Sequence, residues 1–123
     1  MERVETEYGY KDVSTLGDEW HYNNKNQLHN PDGPAIEYLN GSKEYYLNGV
    51  RHREDGPAKE YWDGAKEYCI NGIRHRTDGP AVETAGGSKI FYYKGKLHNP
   101  HEFAVITTKH SLKFIKGKYV WQK

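Results

Sequence analysis

Polar and apolar residues alternate along short stretches of this chain, as in Lys66-Glu67-Tyr68-Cys69-Ile70, and a turn signal follows within a few residues. Alternation of period two predicts β-strands with one face turned inward. The stretches are too short and too aromatic for helices. One series of turn signals falls at Lys25-Asn26, Asn48-Gly49, Asn71-Gly72 and Lys94-Gly95. A second falls at Asn40-Gly41, Asp63-Gly64 and Gly86-Gly87, with a weaker form at Gly17-Asp18. Asn-Gly and Asp-Gly tolerate positive φ at both central positions, so both series predict tight type I′ hairpins. The chain reads as all-β: a single antiparallel meander of about ten or more short strands, elongated and twisted.

The pattern repeats without gaps. Leu28-His29-Asn30-Pro31-Asp32-Gly33-Pro34-Ala35 aligns with Arg51-His52-Arg53-Glu54-Asp55-Gly56-Pro57-Ala58, then with Arg74-His75-Arg76-Thr77-Asp78-Gly79-Pro80-Ala81, then with Leu97-His98-Asn99-Pro100-His101-Glu102-Phe103-Ala104. The segments begin at 28, 51, 74 and 97, so each step is 23 residues. Pro57 and Pro80 cannot donate to a ladder and mark corners. The unit is strand, turn, short strand, Asp-Gly-Pro corner, strand, turn. Residues 16–108 hold the repeats, 1–15 form an N-terminal cap and 109–123 a C-terminal capping hairpin. Lys116-Gly117 follows Lys94-Gly95 by 22 residues, one fewer than the period. Degenerate end units are what an open stack requires.

Two-residue turns fix a register. Around Asn71-Gly72, Ile70 faces Ile73, Cys69 faces Arg74, Tyr68 faces His75 and Glu67 faces Arg76. Around Asn48-Gly49, Leu47 faces Val50, Tyr46 faces Arg51, Tyr45 faces His52 and Glu44 faces Arg53. Around Lys94-Gly95, Tyr92 pairs with Leu97, Phe91 with His98 and Ile90 with Asn99. One face then carries Tyr45, Leu47, Val50, His52, Tyr68, Ile70, Ile73 and His75, and is expected to be buried. The other carries Glu44, Tyr46, Arg51, Arg53, Glu67, Cys69, Arg74 and Arg76, and is expected to be exposed.

Composition agrees with a thin sheet. Hydrophobic residues are only 35% of the 123, yet aromatics reach 14%, and 11 of them are Tyr. That is too aromatic for a disordered chain and too polar for a thick closed core. A net charge of +1 gives no global field toward nucleic acid or membrane. One cysteine, Cys69, excludes an internal disulfide and leaves no zinc-type cluster, which suggests a reducing, cytoplasmic setting. MERVETEYGY has no apolar core of a signal peptide, and no stretch approaches the roughly 20 apolar residues of a membrane span.

The period, the Asn-Gly and Asp-Gly turns and the Tyr-rich hairpins resemble MORN repeats and their bacterial variants. The signature Asn-Gly-x-x-His-x-x-Asp-Gly-Pro-Ala, at 48–58 and 71–81, is closer still to a repeat seen in tailed-phage and giant-virus proteins. The resemblance spans about residues 16–117. It implies a long antiparallel sheet used as a scaffold or protein-contact surface. Asp-Gly-Pro-Ala departs from the glycine-spaced MORN segment, so lipid binding does not carry over.

Four sets of residues carry candidate chemistry. His29, His52, His75 and His98 form a ladder. Metal binding or general-base work is one reading. Recurrence in every unit instead assigns them to structure, with each His bonded to its corner carboxylate: His52 to Asp55, His75 to Asp78, and Asp32 in the first unit. Arg51, Arg53, Arg74 and Arg76 are four of the five arginines. With Tyr46 and Trp62 they form the candidate partner-binding surface, weighed against cross-strand pairing with Glu37, Glu44, Glu60, Glu67 and Glu83. Glu60 and Glu67, set nearly opposite across the Asp63-Gly64 turn, form a conceivable hydrolase pair, but neighbouring arginines would neutralise them. Lys109, Lys113, Lys116, Lys118 and Lys123, interleaved with Phe114, Tyr119 and Trp121, suit either single-stranded nucleic acid or the guarding of a sheet edge. Cys69 occupies the slot of Tyr46 and Tyr92, which reads as a surface substitution rather than a nucleophile.

No nucleophile, metalloprotease or phosphate-loop motif is present. The expectation is a non-enzymatic protein-binding module without cofactor, metal or membrane attachment. The resemblance adds a phage or viral setting with a host-encoded, defence-related partner. A homodimer through an under-covered face is a further expectation. A sponge-like binder of a nucleotide or other anion, on the Arg/Tyr face, is the alternative.

Overall fold

The computed structural model describes residues 1–99 and 104–107 and, as backbone only, the strands Ser111–Ile115 and Lys118–Gln122. The described residues are all-β. Twelve strands form one antiparallel sheet in sequence order: Glu2–Thr6, Gly9–Val13, Glu19–Asn23, Ile36–Glu37, Lys43–Glu44, Lys59–Glu60, Lys66–Glu67, Val82–Glu83, Lys89–Ile90, Val105–Ile106, Ser111–Ile115 and Lys118–Gln122. Three small hairpins branch from it: Tyr46–Leu47 with Val50–Arg51, Cys69–Ile70 with Ile73–Arg74, and Tyr92–Tyr93 with Lys96–Leu97. Strand order equals sequence order, so the chain is a meander.

The small hairpins turn as the sequence predicts. Asn48 and Gly49 have φ of 49° and 81°, Asn71 and Gly72 of 51° and 79°, Lys94 and Gly95 of 50° and 83°. Two successive positive values are the signature of type I′. Leu47 pairs with Val50, Cys69 with Arg74 and Tyr92 with Leu97.

The second row of turns is different. Only one residue of each turn is left-handed there, Gly17, Gly41, Gly64 and Gly87, at 106°, 94°, 95° and 93°. Tyr38 N–H donates to Ser42 O at 2.9 Å, and Tyr61 N–H to Ala65 O at 2.9 Å. Three residues lie between, so these are three-residue loops closed by a left-handed glycine, not type I′ turns. Asn40 and Asp63 act through their side chains: each accepts the N–H two residues on, at 2.9 and 3.0 Å. The longer loop shifts the register by one. Glu60 therefore faces Lys66, and Glu67 faces Lys59, so the two glutamates are not opposite each other.

The corner also changes the pairing. His75 N–H donates to Tyr68 O at 3.1 Å, and Tyr68 N–H donates to Ala81 O at 2.7 Å. Residues 76–80 loop out between these two bonds. Glu67 consequently pairs with Val82 rather than Arg76, Glu44 with Lys59 rather than Arg53, and Ile90 with Val105 rather than Asn99. The stretch 66–70, expected as one strand, divides at Tyr68 into a main-sheet part and a hairpin part.

Burial departs from the expected sorting as well. Ala35, Ala58, Ala81 and Ala104, where each corner re-enters the sheet, have no exposed surface. Ala58 is bonded on both sides, its N–H to Glu67 O at 2.7 Å and its O to Tyr45 N–H at 2.8 Å. Cys69, expected on the exposed face, is 2% exposed, whereas Val50 and Ile73, expected inside, are 42% and 49% exposed. Stacking of hairpin tips explains the last two: their side chains rest against the turn glycines of the next unit, Gly72 and Gly95, beside solvent. The charged face is largely covered because its carboxylates have partners. Glu44 accepts from the Tyr38 and Tyr46 hydroxyls at 3.1 and 2.8 Å, and burial together with the Glu44 charge pushes the Tyr38 phenol up to about 12. Lys109, Lys116 and Lys123 lie outside the described residues, as do the side chains of the C-terminal hairpin and the shortened turn at 116–117.

Candidate functional site

The looped-out corners stand above the hairpins and enclose two open grooves of about 630 and 600 Å³. The first is lined by the corner Asn30 to Pro34, by Tyr45, Leu47 and His52, and by Arg53, Glu54 and Asp55. The second is lined by Arg53 to Gly56, by Tyr68, Ile70 and His75, and by Arg76, Thr77 and Asp78. The Asp, Gly, Tyr, His and Arg positions of the first groove recur 23 residues later in the second, while Arg53, Glu54 and Thr77 stand there in place of Asn30, Pro31 and Glu54. Each groove is thus a property of the repeat.

The histidines do not bond the corner carboxylates. His29 Nδ1 accepts from Asn48 N–H at 2.9 Å, His52 Nδ1 from Asn71 N–H at 2.9 Å and His75 Nδ1 from Lys94 N–H at 2.8 Å. Each acceptor stands one unit before the type I′ turn that it caps, so the row ties neighbouring repeats together. An acceptor Nδ1 leaves the ring proton on Nε2. His52 Nε2 stands 3.6 Å from Glu54. His98 N–H donates to Phe91 O at 3.0 Å, continuing the backbone pattern.

The corner carboxylates hold arginines instead. Arg53 Nε donates to Asp55 at 3.2 Å, while Nη1 reaches Pro57 O at 3.1 Å and Glu60 at 3.0 Å. Arg76 repeats this with Asp78 at 3.0 Å, Pro80 O at 3.1 Å and Glu83 at 3.8 Å. Each guanidinium also lies 3.9 Å above a tyrosine ring, Tyr45 or Tyr68. In the first unit Asn30 does the same work, donating to Pro34 O at 3.0 Å. Asp32 there lies beside Tyr8, whose phenol its hydrogen bond shifts upward.

The expected partner-binding set therefore splits. Arg53 and Arg76 share the groove surface with the histidines. Arg51 and Arg74 stay on the other face: Arg51 donates to the Tyr46 hydroxyl at 3.2 Å, and Arg74 to Glu67 at 3.1 Å and to the Tyr92 hydroxyl at 3.4 Å. Arg51 Nε is buried with no acceptor among the described residues. Between them, burial pushes the Cys69 thiol up. Trp62 stands elsewhere again, exposed at the tip of the other row of turns. Exposed Leu39 and Leu16 precede it at the same period, a ladder that the turn signals overshadow in the sequence.

Among the described residues, no three His, Cys, Asp or Glu side chains are placed to hold a metal ion, and no helix is long and apolar enough to cross a membrane. A scan against protein-family models and searches of curated proteins and of solved structures return no match.

Proposed function

We propose that this chain is a non-enzymatic protein-binding module of MORN-like repeats that holds an extended segment of its partner along the corner grooves. The observation that carries this reading is the recurrence of one groove, at nearly equal volume and with the same Tyr, His and Asp positions, in successive units. A series of open, aromatic-floored grooves suits a chain that passes from unit to unit. Resemblance to phage and giant-virus repeats supports a host-encoded partner and a cytoplasmic setting. The test is selection from a library of random unstructured peptides against the immobilised protein, counter-screened with Thr77→Trp, which fills the second groove from an exposed wall. The expected result is enriched peptides that the variant no longer holds. A selection yielding no peptide sensitive to Thr77→Trp would refute the reading.

One observation favours a second reading, capture of a nucleotide or other anion on the opposite face. Arg51 and Arg74 stand together on that face, beside the Tyr46 and Tyr92 hydroxyls. A nucleotide at 100 times its Kd adds about 2.7 kcal/mol of stability. A thermal upshift with nucleotides in low salt, abolished by Arg51→Gln, supports this reading, and its absence removes it.

A further inference from the structure

We infer that the two grooves form one track for a basic, proline-rich segment in the polyproline II conformation. The inference rests on the protein-binding reading above and names the chemistry of the partner.

The first argument is pitch. From one groove to the next the meander adds two main-sheet strands, each about 4.8 Å from its neighbour, a step of about 9.6 Å. A polyproline II chain completes a turn in three residues at about 3.1 Å each, a step of about 9.3 Å. Equivalent side chains therefore meet equivalent grooves. An extended β-strand advances about 3.3 Å per residue and alternates faces, so after three residues it presents the wrong side.

The second argument is the hydrogen-bond inventory. A proline-rich chain offers carbonyl oxygens and few N–H groups, so its track must supply donors. His52 and His75 line successive grooves, and each has its Nδ1 occupied as an acceptor. Each groove thus holds one imidazole whose Nε2 carries the proton, one donor per three residues of ligand; in the first groove a ligand carbonyl would take that N–H from Glu54, which stands 3.6 Å away. Tyr45 with Leu47, and Tyr68 with Ile70, supply the apolar surface on which pyrrolidine rings pack.

The third argument is charge. Glu54, Asp55 and Asp78 are exposed at the groove mouths. Arg53 and Arg76 are paired with Asp55 and Asp78, which leaves Glu54, 83% exposed and a lining residue of both grooves, as the one of these three acids with no arginine on it. The rim is acidic and complements Arg or Lys on the ligand.

The test uses three labelled nine-residue peptides and the whole protein, read by fluorescence anisotropy: Pro-Pro-Arg three times, Gly-Ser-Arg three times and Pro-Pro-Glu three times. The Pro-Pro-Arg peptide is expected to bind about tenfold or more tighter than Gly-Ser-Arg, which has equal charge but lacks the preformed helix. Pro-Pro-Glu is expected not to bind. Glu54→Lys, at a side chain 83% exposed, should weaken Pro-Pro-Arg binding while circular dichroism and Tm stay the same. Equal binding of the two basic peptides, or indifference to Glu54→Lys, overturns the inference. If neither basic peptide binds while the random library yields peptides blocked by Thr77→Trp, the polyproline chemistry fails and the module reading stands. If the library also yields nothing, both fail.

Discussion

Three corner glycines, Gly33, Gly56 and Gly79, occupy the same place in successive units, and none has a positive φ. Alanine is compatible with the backbone at all three, so space alone decides the outcome. A Cβ at Gly79 would lie 2.8 Å from Arg76 Cζ and 2.9 Å from its Nη1, and a Cβ at Gly56 would lie 2.9 Å from Arg53 Cζ. At Gly33 the nearest atom is Asn30 Nδ2 at 3.7 Å, an ordinary contact. Relief of the clash at Gly79 must move a guanidinium held by Asp78, Pro80 O and the Tyr68 ring. Losing one charged hydrogen bond to a carbonyl costs about 1.5–3 kcal/mol, and a weakened cation–π contact about 0.5–1 kcal/mol. The stiffer unfolded chain returns about 0.4–1 kcal/mol. Gly79→Ala and Gly56→Ala should therefore each destabilise by about 2 kcal/mol, whereas Gly33→Ala should be neutral or stabilise by about 0.4–1 kcal/mol. Urea unfolding measures all three. In Arg76→Ala the cost of Gly79→Ala should vanish, because the obstructing group is gone. Equal effects at Gly33 and Gly79, or additivity of Gly79→Ala with Arg76→Ala, would refute the guanidinium-filled corner.

Other outcomes follow from the same geometry. Replacing His52 by Ala removes the acceptor for Asn71 N–H and should cost at least about 1 kcal/mol in urea unfolding; Asn, whose Oδ1 sits as many bonds from the backbone as Nδ1, should recover part of it, and equal loss for Ala and Asn would contradict the turn-capping role. Burial pushes His21 below the ordinary imidazole value of 6.5, against the pull of Glu19. The unfolded chain then takes up this proton first, so the contribution is complete above about pH 6.5 and declines as pH falls toward the folded value. His21→Gln should flatten that part of a stability–pH profile. Cys69 is buried and its thiol is pushed up by burial, so an aromatic disulfide reagent should label it slowly in the native protein and rapidly in urea.

Much of the architecture is legible in the sequence because glycine and proline punctuate it. Asn-Gly permits two successive left-handed residues, and this alone sets Cys69 opposite Arg74. The corner is not legible in this way, because a period-two pattern carries no mark of residues that leave the sheet. Asp-Gly-Pro shows that the chain bends, but not that five residues loop out and Ala81 resumes the ladder. With the corner drawn as ladder, Arg53 and Arg76 fall on the face of Arg51 and Arg74, and Glu67 falls opposite Arg76 instead of Val82. The three-residue loops hid for a related reason, since Asp63 is there for its carboxylate oxygen rather than for its φ. Within the candidate site, the recurrence of His and Arg was visible. Their partners were not, because His52 bonds a turn 19 residues on, and Arg53 turns back over Tyr45. One clue was present: Asn30 in the slot of Arg53 and Arg76 suits a donor to a corner carbonyl better than a conserved positive surface within the repeat.

The most direct measurement is an amide NMR titration of the whole protein with the Pro-Pro-Arg peptide. Shifts gathered at His52 to Asp55 and His75 to Asp78, with Arg51, Arg74 and Trp62 unmoved, are the predicted result. Shifts centred on Arg51 and Arg74 or on the Trp62 turn, with the corners silent, would contradict it.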